Sequence, residues 1–522
     1  MSTGFCSGKV LRLVIDIIRL RYHLSVMRWL VVAGYLGANT MRWLALALLG
    51  AAVLGAADKT FDAAEYSAPA TRLIGAALAD EHSLDRLEFL CDRIGNRLSG
   101  SPALVKAVAW AQAEMKQAGL ENVRVLPVEV PHWVRGQESL TMIEPVARPV
   151  FILGLGDSVG TPAAGIEAEV VTVSDFSQLA SLGRDRVAGK IVLYNAPFES
   201  YGATVMYRTA GPSEAAKLGA VAALVRSVTP VSLRDPHTGT LNYEEGVPKI
   251  PAAAVSVEDA EAIARLAEAG VAVRVRLKME AQMEPDADSG DVMGEIRGSE
   301  KPDEVVVLGG HIDSWDVGQG AQDDGTGIMA SFEAVALMKR LGLRPKRTVR
   351  VVFWVNEENG GAGGRAYRDW LGDKVKNHVA AIEMDGGAEK PLGFGFGGGE
   401  GGMFRRRRAP GVAVPSMVPA RPSIEESEAE FTRVVEIGKL LDIIGSGNIT
   451  HGGGGSDIEP LIAAGIPGFG LRTVGTHYFD WHHSNADTFD KVDPTDFRQC
   501  VATLAVMSYV LADMPERLSR VK

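Results

Sequence analysis

Three apolar runs in the second half of the chain set its pattern: VVVL ending at Leu308, TVRVVFWV ending at Val355, and VAAIEMD ending on Asp385. Runs of this kind read as buried strands. The first opens into GGHIDSWDVGQGAQDDGTG, from Gly309 to Gly327, and the second into Asn356-Glu357-Glu358 and more glycines. Polar, glycine-rich turns at the C-terminal ends of strands are where open α/β sheets carry their sites. From Gly290 to Lys522 strand and helix patterns alternate, closing with a helix over roughly 494–512. The expectation is an α/β fold of three layers, a sheet with helices on both faces.

Upstream the pattern differs. Residues 83–118 predict two helices around the loop GNRLSGSP, and the second, ALVKAVAWAQAEMKQAGL, has amphipathic spacing and stops at a glycine. Residues 122–130 alternate like an edge strand. From about Ile143 short β-runs follow, broken by Gly and Pro: VFILGLG, EAEVVTV, GKIVLYN, GAVAALV and IPAAAVS, with a helical SEAAKLGA between two of them.

The strand ends deliver His, Asp and Glu, and the set is completed by HYFDWHHSNADTFDKVDP near the C-terminus. In chain order the candidates are His311, Asp323, Glu357, Glu358, Asp385 and His483. Carboxylates with a few imidazoles suit zinc or a similar divalent ion. Two ions about 3.5–4 Å apart need a bridging carboxylate and terminal ligands for each. That use leaves one glutamate over, available as the base an attacking water needs.

These segments resemble the cocatalytic zinc exopeptidases related to bacterial aminopeptidases and glutamate carboxypeptidase. The resemblance runs from about Ser83 to the C-terminus and is carried by GSEKPDEVVVLGGHIDSWDVGQGAQDDGTG, LGLRPKRTVRVVFWVNEENGG, Glu383-Met384-Asp385 and HHSNADT. It implies that His311 and Asp385 bind one zinc, that Glu358 and His483 bind the other, and that Asp323 bridges them. Glu357 would be the general base, and Asp313 would hydrogen-bond the His311 imidazole and fix its tautomer. In this family the bridging aspartate lies four residues before the glycine opening the next helix, which selects Asp323 over Asp324. The Asp323–Asp324 link is a candidate cis peptide. GKIVLYN, Ala-Lys-Leu-Gly-Ala and IPAAAVS resemble a β-rich protease-associated domain inserted at residues 143–280, dividing a peptidase domain into 58–142 and 281–522. A homodimer is implied as well. Two other functions share related architectures. One is a receptor-like binding protein without the ligand set, and the other is a single-zinc acyltransferase of the glutaminyl cyclase kind. The full ligand set opposes the first, and the insertion and HIDSWDVGQG oppose the second.

Several residues have plainer readings. Asp313, Asp316 and Asp324 can cap the helix starting near Thr326. His482 competes with His483, which the family pattern His-Ser-x-x-Asp-Thr favours, and His477 is a third choice. His23, His82, His132, His237, His378 and His451 lack ligand spacing and read as surface or packing residues. Arg405 to Arg408 read as a solvated loop.

The net charge of −11 argues against nucleic-acid and anionic-membrane partners, and the family resemblance implies a peptide substrate. Of three cysteines, Cys91 and Cys500 are expected as buried thiols rather than a bridge. Met41-Arg42-Trp43 followed by LALALLGAAVLGAA reads as a signal peptide cleaved near Ala56 or Ala57, which predicts export to the periplasm or outside the cell. The alternative is an uncleaved anchor over residues 29–57.

Overall fold

The computed structural model describes residues 61–397 and 424–520. The signal segment and Arg405 to Arg408 lie outside these residues.

The chain builds a mixed α/β architecture with two sheets flanked by helices. Helices Ser67–Leu78, His82–Phe89 and Pro102–Gln117 come first. The last starts where Pro102 follows the N-cap Ser101, whose hydroxyl accepts the Leu104 N–H at 3.1 Å. Strand β1 (Glu121–Val134) opens the first sheet. The chain then leaves to build a complete second sheet. Its strands are β2 (Glu138–Glu144), β3 (Arg148–Val150), β4 (Ile152–Gly154), β5 (Ile166–Val173), β6 (Ile191–Tyr194), β7 (Ala222–Arg226), β8 (Ala252–Val255) and β9 (Arg274–Met279). Strand β2 carries this sheet back to Glu138, upstream of the composition change near Ile143. The insertion is also more helical than its β-runs imply, with helices Phe176–Val187 and Val257–Glu268 beside the expected one at Gly211–Lys217.

The chain returns to the first sheet with β10 (Gln282–Ile296), β11 (Lys301–His311), β12 (Arg347–Trp354), β13 (His378–Glu383), β14 (Pro391–Phe396), β15 (Asn448–His451) and β16 (Gly468–Thr473). Its order is β1-β10-β12-β11-β13-β16-β14-β15, with β1 on the edge as its alternation predicts. The centre is parallel: β12, β11, β13 and β16 run the same way. Central parallel strands are covered on both faces, which is why they read as unbroken apolar runs. The covering helix Thr326–Arg340 is buried from Thr326 to Met338. Buried Glu333 within it is paired with Arg86 at 3.0 Å and with Arg340. Helix Pro494–Asp513 packs against it.

The two sheets share packing at the site. Trp315 and Val317, from the loop after β11, join the insertion's core with Leu140, Val170 and Leu277. Gly156 is required there, since a Cβ on it would stand 1.9 Å from the Trp315 ring.

Candidate metal centre

Parallel register brings the ends of β11, β12 and β13 to one edge: His311 pairs with Trp354, and Gly309 with Glu383. The side chains projecting from that edge are His311, Glu357, Glu358 and Asp385. The loop before the buried helix adds Asp323, and the segment before the last helix adds His483.

His311 is fully buried. Its Nδ1 lies 3.0 Å from the main-chain oxygen of Asp313, so Nδ1 carries a proton and Nε2 is the ring nitrogen left to face the carboxylates. Nε2 faces Asp323 Oδ1 at 3.2 Å and Asp385 Oδ1 at 3.4 Å. The other oxygen of Asp323 faces His483 Nε2 at 3.1 Å, and His483 Nε2 faces Glu358 Oε2 at 3.1 Å. Two overlapping donor sets thus meet at Asp323. The Asp323–Asp324 peptide is cis.

The expected contact of Asp313 with the His311 imidazole is made by its backbone oxygen, which the turn after β11 brings to Nδ1. The carboxylate instead accepts the N–H groups of Glu357 at 3.2 Å and Glu358 at 3.4 Å. It ties the β12 end to the β11 end.

The competing residues also have places. His482 Nε2 comes within 3.5 Å of Asp323 Oδ2, and its ring stacks on that of His483 with centroids 3.5 Å apart. Of the two, His483 faces both carboxylates. Asp324 accepts from the His311 N–H at 3.1 Å and from the Gly327 N–H at 3.0 Å, the capping role. Asp316 pairs with Arg135 at 2.5 Å. His477 is exposed and pairs with Asp480. His82 and His451 are exposed and His132 half-buried, whereas His378 is buried with Nε2 2.9 Å from the Tyr367 hydroxyl. His23 lies outside the described residues. Cys91 and Cys500 are buried free thiols.

Burial concentrates negative charge here. Desolvation, followed by the charge of Asp323, pushes Glu358 up to about 8. Burial likewise pushes Asp385 to about 7 and Glu383 to about 8. Burial opposes protonation of His311 and His483, yet the surrounding carboxylates hold both imidazoles well above their ordinary range. His311 Nε2 and Asp323 Oδ2 are buried without hydrogen-bonding geometry to any partner, although they lie at ion-pair distances. Donor atoms that converge without bonding one another, in a site needing positive charge, fit a divalent metal.

Some residues at the site are not among those the sequence singles out as candidates. Asp487, inside the HHSNADT string, accepts the N–H groups of Gln322 at 2.7 Å and Asp323 at 3.2 Å. Arg97, in a segment legible only as a loop, is fully buried and donates to the carbonyls of Ile312, Gln319 and Gly320. From the insertion, Arg208 comes within 3.4 Å of His483 Nδ1 and donates to the Tyr201 hydroxyl at 2.8 Å. His237 reaches the main-chain oxygen of His482, and burial lowers its imidazole to about 3, so the ring is neutral.

The fold and this carboxylate–imidazole edge define a metallopeptidase. The profile of peptidase family M28 matches residues 291–508, and that of the PA domain matches residues 156–263. Carboxypeptidase Q of Xenopus laevis is 44% identical over 85% of this chain and 88% of its own length. The human carboxypeptidase Q shows the same identity and coverage. The crystal structure of a peptidase M28 precursor from Shewanella amazonensis SB2B superposes with a TM-score of 0.79 at 31% identity, over 88% of this chain and 100% of that one. An aminopeptidase from Aneurinibacillus sp. strain AM-1 shares the fold, with a TM-score of 0.59 at 20% identity over 87% of this chain and 98% of its own. The chain belongs to peptidase family M28, with a PA domain inserted in it, and is a metallopeptidase acting on peptides.

Proposed function

We propose that the protein is a dinuclear zinc exopeptidase hydrolysing dipeptides or short peptides with free termini. His311 and Asp385 would hold one ion, Glu358 and His483 the other, with Asp323 between them. The observation that carries this reading is Asp323 itself, whose two oxygens face two different imidazoles at 3.2 and 3.1 Å. One carboxylate serving two donor sets is the arrangement that a metal pair needs.

When bound, the ions would polarise the scissile carbonyl and lower the pKa of water. The chain supplies the rest. Glu357 is half-buried, its N–H is held by Asp313, and its charge acts on His311 and Asp385. From that position its carboxylate takes the proton of the attacking water and returns it to the leaving amine. Asp313 keeps Glu357 and Glu358 in fixed relation by binding both of their N–H groups. The insertion, whose core includes Trp315 and Val317, roofs the site and restricts it to small substrates.

Residues 41–57 are read as a cleaved signal, giving an exported protein beginning near Ala57 or Asp58 that works as a homodimer. Among the described residues no helix is long and apolar enough to cross a membrane. The test of substrate class is a dipeptide panel run beside its N-acetylated and C-amidated counterparts, with zinc content measured in parallel. Hydrolysis that disappears when one terminus is blocked supports an exopeptidase and identifies the end gripped. Cleavage indifferent to both blocks contradicts it.

A further inference from the structure

Two consecutive carbonyls of the segment bearing His483 are held by two consecutive residues of the inserted domain. His237 Nδ1 lies 2.6 Å from the main-chain oxygen of His482, and the Thr238 N–H donates to that of His483 at 2.8 Å. A carbonyl only accepts, so Nδ1 of His237 carries the proton.

This pair is itself anchored to the insertion's sheet. The His237 N–H donates to Ser227 Oγ at 3.0 Å, and the Ser227 hydroxyl donates to the Val255 carbonyl at the end of β8, at 2.8 Å. The Thr238 hydroxyl donates to the Gly154 carbonyl at the end of β4, at 2.7 Å. The grip therefore leads back to two strands rather than to a free loop.

The segment needs such support. His483 has φ of +59°, the left-handed region that residues with a Cβ adopt only when their surroundings impose it. It lies in a segment bound to the insertion at further points. The Thr229 hydroxyl donates to the Phe479 carbonyl at 2.7 Å, and Asp235 accepts the Ala486 N–H at 3.1 Å. The direction of His483 Nε2 towards Asp323 and Glu358 follows from that backbone conformation.

We propose that His237, together with the Thr238 N–H, is a positioning residue for the metal centre. It fixes the His482–His483 backbone so that the His483 imidazole faces Asp323 and Glu358. In this account the inserted domain completes the site as well as covering it. The proposal rests on the reading of His483 as a ligand.

The experiment is chelator competition for zinc on the full chain, resolving the affinities of the two ions. His237→Leu should bind one ion about 10–100-fold more weakly, the range for loss of a partner that orients a ligand. The other ion should be unaffected. His237→Asn, whose side-chain N–H can replace that of Nδ1, should recover most of the loss. Wild-type affinity for both ions in His237→Leu would overturn the proposal, as would an equal loss at both sites or the absence of rescue by Asn. If His237→Leu does not fold, Ser227→Ala carries the test, since it frees His237 from behind. Weaker binding of one ion supports the proposal, and unchanged binding of both overturns it. A wild-type chain that takes up a single zinc would overturn the two-ion reading together with this one, and shows itself before any substitution.

Discussion

Asp487 holds Asp323 through the backbone: its Oδ2 accepts the Asp323 N–H at 3.2 Å, while Oδ1 takes the neighbouring Gln322 N–H at 2.7 Å. The residue proposed to serve both ions is thus fixed by a second buried carboxylate from the segment that also carries His483. Asp487→Asn replaces one acceptor oxygen by a donor facing an N–H. It should weaken both ions by about 10–100-fold, and Asp323→Asn should weaken them further. Metal analysis after dialysis checks this. Two tightly held ions in Asp323→Asn would remove it from the bridging position.

The two adjacent histidines make different contacts and should respond differently. His483→Ala should empty one site and leave the other occupied. His482→Ala should retain both ions, because His483 is the ring that faces both Asp323 and Glu358. The reverse pattern in metal content would exchange their assignments.

Arg97 supports the loop rather than the chemistry. It donates to the carbonyls of Ile312 at 2.5 Å, Gln319 at 2.9 Å and Gly320 at 3.0 Å. Arg97→Met would leave the buried Ile312 carbonyl without that donor, at about 1–3 kcal/mol, whereas Gln319 is half-buried and the Gly320 carbonyl keeps the Gly325 N–H. A stability loss of about 1–3 kcal/mol is expected in denaturant unfolding. A loss below about 1 kcal/mol would show that the loop holds its shape without the guanidinium.

The buried acids make the metal-free protein sensitive to pH. Burial first, then neighbouring charge, raises Glu358 from 4.5 to about 8 and Asp385 from 3.8 to about 7. Burial raises Asp487 to about 7. These acids hold more protons folded than unfolded between roughly pH 4 and 8. Buried His237, His378 and His482 hold fewer below about pH 6.5, so the fall of stability with rising pH is unopposed by them above that. Tm of chelator-treated protein should fall from about pH 6.5 to pH 8, and zinc should restore it most at the alkaline end, where it displaces fewest protons. A metal-free Tm that rises across the range would contradict the buried-acid picture.

What the sequence made legible follows from where the information lies. VVVL, TVRVVFWV and VAAIEMD announce β11, β12 and β13 because a strand covered on both faces has no polar phase to obscure it. Their ends were therefore readable as a site edge, and His311, Glu358 and Asp385 stand there. The family resemblance favoured Asp323 over Asp324 and His483 over His482. In the structure Asp324 caps the buried helix, while Asp323 faces the imidazoles. Arg97, His237 and Arg208 were not legible as site residues. Their partners are backbone carbonyls or a ring distant in sequence, and such contacts leave no local spacing. Asp313 does meet the His311 imidazole, through its main-chain oxygen, a choice of atom that spacing does not specify.

Glu357 is proposed to move the proton, and Glu358 to belong to the metal site. Here Glu358 faces His483 at 3.1 Å, while Glu357 is held by its N–H to Asp313 and remains half-buried. The most direct measurement is zinc content and dipeptide turnover, made together on Glu357→Gln. Zinc content equal to wild type, KM little changed and kcat lower by at least about 100-fold are expected. Near-wild-type kcat, or loss of an ion together with activity, would contradict this assignment.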